Sequence, residues 1–157
     1  MSGIRAESTI ANIFQHLCMT LITIVGPTAV GKTALSLKIA AHFQTVILSA
    51  DARQFYQGLD KGTAKPTKAE LAQAKHHFID SLKLTDTYSA AQYQREAETL
   101  MNQLFPTYPT LVMVGGSTLY MDAIWYQMDE MPEVSTDIRN QLNTRLQSEG
   151  LTGLVAE

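Results

Sequence analysis

Gly26-Pro27-Thr28-Ala29-Val30-Gly31-Lys32-Thr33 follows an apolar run at 21–25 and precedes a stretch, 32–43, with Leu35, Leu37, Ile39 and Ala40 at mostly helical spacing. The octet satisfies G-x-x-x-x-G-K-[ST]. In that pattern the glycines let successive backbone N–H groups curl around a phosphate, the lysine adds charge, and the final hydroxyl can hold Mg2+. Strand, phosphate loop and helix in this order predict an α/β protein with a parallel sheet, P-loop NTPase-like, in three αβα layers. Every residue of the octet is therefore a candidate diphosphate or nucleotide contact, with Thr33 the candidate Mg2+ ligand.

Outward from the loop, the runs at 45–49 and 109–114 read as further buried strands, the second entered through Pro109 where a missing N–H is tolerated. Thr67-Lys-Ala-Glu70 and Ser89-Ala-Ala-Gln92 are capping boxes, and the second predicts a helix to about Leu104. After Gly115-Gly116 a helix should turn Leu119, Tyr120, Ala123 and Ile124 inward. Beyond Pro132, Ser135 caps a polar helix with Ile138, Leu142 and Leu146 on one stripe, ended by Gly150. Three strands make a thin sheet where about five or six are usual, and 151–157 stops where an element begins, so the fold reads as incomplete at its C-terminal side. The expected organisation is a leader at 1–18, an α/β core at 19–131, and at 132–157 the start of a helical region that contacts a partner.

Cys18 is the single cysteine, which excludes a disulfide framework and a cysteine-based zinc site and points to the cytoplasm. No apolar run reaches the roughly 20 residues of a membrane span, so no membrane partner is expected. The net charge of −3 is unevenly spread: residues 1–83 hold nine Lys/Arg against five Asp/Glu, and residues 84–157 hold three against ten. Anionic ligands should meet the first part. Lys61, Lys65, Lys68, Lys75 and Lys83 form a lysine-rich stretch that reads either as a solvated surface or as a polyanion contact.

Asp51 follows the second strand, at the edge where α/β folds place ligands. A lone aspartate there would read as a cap, but Arg53, Gln54, Thr63 and Lys65 accompany it. Together they offer an acceptor, a bidentate donor, an amide that can read a base edge, and two phosphate-type partners. A nucleotide hydrolase would want an acid at the end of another strand to help hold Mg2+, and the run at 109–114 ends in Gly115-Gly116 instead.

Five motifs now stand in order: the phosphate loop; Ser49-Ala-Asp-Ala-Arg-Gln-Phe-Tyr-Gln-Gly-Leu-Asp-Lys-Gly-Thr-Ala-Lys-Pro66; His76-His77-Phe-Ile-Asp80; Tyr88-Ser-Ala90; and Val114-Gly-Gly-Ser-Thr-Leu-Tyr120. Over about residues 20 to 157 the chain resembles the amino-terminal half of the tRNA dimethylallyltransferases. The resemblance implies transfer of a dimethylallyl group from its diphosphate to N6 of the adenosine 3′ of the anticodon, in tRNAs reading codons that begin with U. It implies dimethylallyl diphosphate, Mg2+ and the anticodon stem-loop of tRNA as ligands of a monomer. By the same resemblance Asp51 accepts the N6 proton, Lys32 and Ser117 complete the catalytic set, and Thr28 through Thr33 line the prenyl diphosphate. Asp51, Ala52, Arg53, Gln54, Thr63, Lys65, Ser117 and Arg139 are then the tRNA contacts. Ala52 departs from the family's usual Ser, and Ser117-Thr118 from its frequent Thr-Gly. The family's other half, expected to complete the sheet and close around tRNA, is not in this chain.

Other residues read as structure. Adjacent His76 and His77 point in different directions with no third ligand at useful spacing, Tyr120, Trp125 and Tyr126 read as core, and Met113, Met121, Met128 and Met131 as gap-fillers. Three alternatives remain open at this level: transfer to free AMP or ADP, a small-molecule kinase with the same loop, and a fragment that binds without turnover.

Overall fold

A computed structural model describes residues 19–126 and 135–155. The expected leader with Cys18, and Met128, Met131 and Pro132, lie outside the described residues. The elements are β1 (Thr20–Val25), α1 (Lys32–Phe43), β2 (Ile47–Ser49), α2 (Lys68–Leu71), β3 (His76–His77), α3 (Ala90–Leu104), β4 (Thr110–Gly115), α4 (Thr118–Tyr126) and α5 (Thr136–Val155). The four strands form one sheet in the order β1-β4-β2-β3, and every pairing is parallel.

Parallel strands carry helices on both faces, so their side chains alternate between two cores. Val112 and Ile47 join Ile24, Leu37 and Ala40 under α1. Their neighbours Leu111, Met113 and Leu48 turn the other way, toward Tyr93, Ala97 and Met101 of α3 and Tyr120, Met121 and Ala123 of α4. The result is the three-layer α/β arrangement expected from the loop and its flanks. Burying a leucine or isoleucine fully is worth about 1.5–3 kcal/mol, and Ile47, Leu48, Leu111 and Val112 have no exposed surface, so the central strands anchor the sheet.

Several expectations change. A fourth strand, His76–His77, was invisible as a strand because it is two polar residues long, and it pairs with Ile47 and Leu48 at the sheet edge. The Thr67 box is complete, yet its helix is four residues long and buries nothing. At α3 the Ser89 hydroxyl accepts from the Gln92 N–H, but the Gln92 side chain donates to Glu96 four residues on, which is its neighbour on the helix surface. In α4 only one stripe can face the sheet: Tyr120, Met121 and Ala123 are buried, whereas Leu119, Trp125 and Tyr126 are exposed. Leu35 of α1 is exposed for the same reason. Gly150 takes φ 71 and ψ 179, ending the helical run where expected, and 151–155 resume as a further turn; Ile138, Leu142 and Leu146 are exposed.

Candidate active site

The loop between β1 and α1 is built for an anion. Gly31 takes φ 91 at the start of α1, a left-handed conformation that glycine adopts without penalty. No side chain caps α1 and no acid occupies its first turn, so the helix end keeps its partial positive charge for a ligand. Ala29 is also left-handed, at φ 69, which costs an L-residue about 1–2 kcal/mol and is the kind of strain concentrated at ligand sites. The Lys32 ammonium donates to the Pro27 carbonyl at 2.6 Å, folding its charge back over the loop. One turn into α1, the Ser36 hydroxyl donates to the Thr33 carbonyl at 2.9 Å and fixes the helix's first turn.

Asp51 sits just beyond the C-terminal end of β2, beside this loop. Its Oδ1 accepts the Arg53 backbone N–H at 3.0 Å and its carbonyl accepts the Gln54 N–H at 3.1 Å, a tight turn that aims the carboxylate. Gly116 lies against it: a Cβ there would stand 3.7 Å from Asp51 Oδ2 and 3.9 Å from the Gly26 carbonyl oxygen. At Gly115 a Cβ would collide with the Ala50 backbone, so the Gly115-Gly116 pair lets β4 approach β2 closely enough to join the two halves of the site. Beneath the turn, fully buried Phe55 stacks on Tyr93 with centroids 5.4 Å apart and meets Tyr120 edge-on at 5.1 Å. Burial and the neighbouring Tyr120 push the Tyr93 phenol well above its ordinary value.

A cleft of about 280 Å³ runs between these elements, lined by Thr28, Ala29, Gly31, Lys32 and Thr33 together with Asp51 and Gln54. The phosphate loop and the aspartate, 18 residues apart between Thr33 and Asp51, thus share one cavity. Pro66, Glu70, His76 and Ile79 also line it; sequence reading did not assign them to the site, although Pro66, His76 and Ile79 fall in the ordered motifs and Glu70 in a capping box. Hydrogen bonds from the Thr67 backbone N–H and hydroxyl hold the Glu70 carboxyl below the usual carboxylate range. Arg53 is exposed at the turn, Ser117 follows Gly116 at the head of α4, and Arg139 is exposed on α5. None of these three lines the cleft.

Three expected RNA contacts are committed elsewhere. The Lys65 side chain is 6% exposed, and its ammonium donates to Asp80 at 2.6 Å, to Asp60 at 3.0 Å and to the Tyr56 carbonyl at 3.0 Å. Burial alone would lower its pKa, but the two carboxylates outweigh burial and hold it above its ordinary value. Thr63 is buried, with its hydroxyl donated to the Leu59 carbonyl at 2.7 Å. Gln54 accepts from the Ser49 hydroxyl at 3.0 Å and donates to the carbonyls of Thr63 and Ala64 at 3.3 and 3.1 Å. Its amide shapes the cleft; the polar atoms that could read a base are already paired.

No three His, Cys, Asp or Glu side chains come together among the described residues. His76 Nδ1 lies 2.8 Å from the Ala74 carbonyl, and both histidines belong to β3. Burial, then the charges of Lys75 and His76, depress the His77 imidazole. The Thr33 hydroxyl and the Asp51 carboxylate in one cleft are oxygen donors of the kind Mg2+ accepts alongside water and substrate phosphates. No described helix is long and apolar enough to cross a membrane.

This architecture has close counterparts. The tRNA dimethylallyltransferase 1 of Phocaeicola vulgatus is 47% identical over 138 residues, 88% of this chain and 46% of that protein. The tRNA dimethylallyltransferase of Christiangramia forsetii is 47% identical over 134 residues, covering 85% of this chain and 44% of its own. Among solved structures, the tRNA isopentenylpyrophosphate transferase of Bacillus halodurans superposes with a TM-score of 0.69 at 34% identity, over 87% of this chain and 45% of that one. The chain therefore spans about half the length of the curated relatives it matches. The family model for IPP transferase matches residues 54–157, which begin downstream of the phosphate loop and Asp51 and include Gln54, Pro66, Glu70, His76 and Ile79 of the cleft. By that match and these identities, the chain belongs to the IPP transferase family.

Proposed function

We propose that this chain carries the donor-binding and proton-accepting half of a tRNA dimethylallyltransferase. The observation that supports this reading is the single cleft lined by both the phosphate loop and Asp51. The donor is dimethylallyl diphosphate, and the acceptor is N6 of the adenosine 3′ of the anticodon. The cytoplasm is the compartment that supplies both.

In the reaction the bond from N6 to the allylic carbon forms while the carbon–oxygen bond to diphosphate breaks. N6 is a weak nucleophile whose proton becomes acidic as the new bond forms, and the Asp51 carboxylate takes that proton. Negative charge builds on the departing diphosphate. The amides of residues 28–33 and the Lys32 ammonium, released from Pro27, stabilise it where it develops. Thr33 would hold Mg2+, which would supply further charge neutralisation on the leaving group. The target base leaves its stack to reach such a cleft, which a loop nucleotide does at low cost. Ala52 and Arg53, which follow Asp51, Ser117, which follows Gly116, and the exposed Lys61, Lys68, Lys75, Lys83 and Arg139 are candidates for tRNA contacts.

The test is transfer by the protein expressed from its complete reading frame, given dimethylallyl diphosphate, Mg2+ and unmodified tRNA, with nucleoside digests analysed by mass. Isopentenyladenosine is expected in the absence of ATP. A folded protein that binds pyrophosphate yet prenylates AMP in preference to an anticodon stem-loop, or nothing at all, overturns the reading.

A further inference from the structure

Lys65 is the most enclosed cation among the described residues that carry an ion pair, and its three donors have three acceptors from two separate segments. Asp60 belongs to a strap, residues 58–66, that contributes Ala64 and Pro66 to the cleft, and Tyr56 lies just before it. Asp80 belongs to the segment after β3. That segment is itself zipped to the Asp51 turn: the Asp80 N–H donates to the Gln54 carbonyl, Leu82 to Phe55, and Gln57 to Leu82. The Gln57 side chain adds a bond to the Asp80 carbonyl at 2.9 Å. Ala64, Phe78 and Asp80 all hold left-handed φ values, of 48, 62 and 51. A non-glycine residue keeps such a conformation only where its surroundings over-determine it. At the far end of the strap, Gln54 grips the Thr63 and Ala64 carbonyls.

We propose that Lys65 is a positioning residue: through Tyr56, Asp60 and Asp80 it latches the strap, and so fixes the Ala64–Pro66 wall of the cleft, without touching substrate. Apart from the Gln54 bonds to Thr63 and Ala64 and the buried Thr63, little burial of its own holds the strap in place. A latched wall holds donor and acceptor in register over Asp51, which is where a small displacement reduces rate more than binding. The kinetic part of this inference rests on the transfer reading; the structural part does not.

Hydrogen exchange on residues 1–157 tests the latch directly. Lys65→Met should raise exchange of the amides at 62–65 by about tenfold or more while those of β4 stay within about twofold, as expected for a local opening. Asp80→Asn should do the same by weakening the same bond from its other side, and it serves if Lys65→Met does not fold. Lys65→Arg should restore most of the protection. Unchanged exchange in a folded variant overturns the proposal. In the complete protein, Lys65→Met should lower kcat about tenfold with pyrophosphate affinity within about twofold, and leave the salt dependence of tRNA binding unchanged. A salt slope reduced by about one would mean a phosphate contact and overturn it. If wild-type protein transfers nothing, the transfer reading fails, and exchange still decides the latch.

Discussion

The Tyr93 hydroxyl donates to the Ser49 carbonyl at 3.1 Å, tying the first turn of α3 to the last residue of β2 across 44 positions of sequence. Asp51 lies two residues past that carbonyl, so the buried phenol steadies the strand end that carries the carboxylate. Tyr93→Phe keeps the stack on Phe55 but orphans a buried acceptor. It should reduce stability by about 1–3 kcal/mol, read from urea unfolding, with pyrophosphate binding retained once folded.

Asp51→Asn preserves an oxygen for the Arg53 N–H, so the turn survives while the base is lost. Diphosphate affinity should stay within about threefold and the transfer rate of the complete protein should fall by roughly 10²–10⁴. Equal losses in affinity and rate would identify Asp51 as structural.

Lys32→Met removes the one loop cation. A charge-assisted bond of about 1.5–3 kcal/mol predicts a loss of roughly 10–200-fold in pyrophosphate affinity, measured by calorimetry, with little change in thermal stability.

Gly115→Ala drives a methyl group into the Ala50 backbone, which cannot rotate away as a side chain would. The variant should lose at least about 2 kcal/mol and open the junction of β4 with β2. Soluble, pyrophosphate-binding protein at wild-type stability would contradict that geometry.

Alkaline pH should also destabilise the fold. Tyr88, Tyr93 and Tyr120 are all shifted upward, first by burial; for Tyr88 a 2.6 Å hydrogen bond to Glu96 adds to it. Their protonated forms are favoured in the folded state, so this stabilisation is full below the unfolded phenol pKa of about 10 and falls as pH rises beyond it. Urea midpoints at pH 9 and pH 11 should differ, and Tyr88→Phe should narrow the difference.

Sequence carried the phosphate loop, the strands on either side of the cleft and the family, because buried parallel strands are continuous apolar runs and the loop's chemistry demands its spelling. Strand bounds differed by one or two residues, as at Ile47–Ser49 against the expected 45–49. What sequence could not carry was partnership. Lys65 reads as a phosphate ligand until Asp80, fifteen residues away, is seen to take its proton donors. Gln54 reads as a base reader until Ser49 and Ala64 are found on its amide. Tyr93 and Phe55 meet only through the fold, and β3 is too short and polar for periodicity to register.

The strand order β1-β4-β2-β3 has a consequence for how the chain assembles during synthesis. β1 and β2 are not neighbours; each pairs with β4, which is the last of the four described strands to leave the ribosome. Until Gly115 emerges, the phosphate loop and Asp51 have no common platform. Nascent chains shorter than about that length should carry the complete loop motif and still lack the cleft, because the contact that unites them spans some 90 residues, from Thr20 to Thr110.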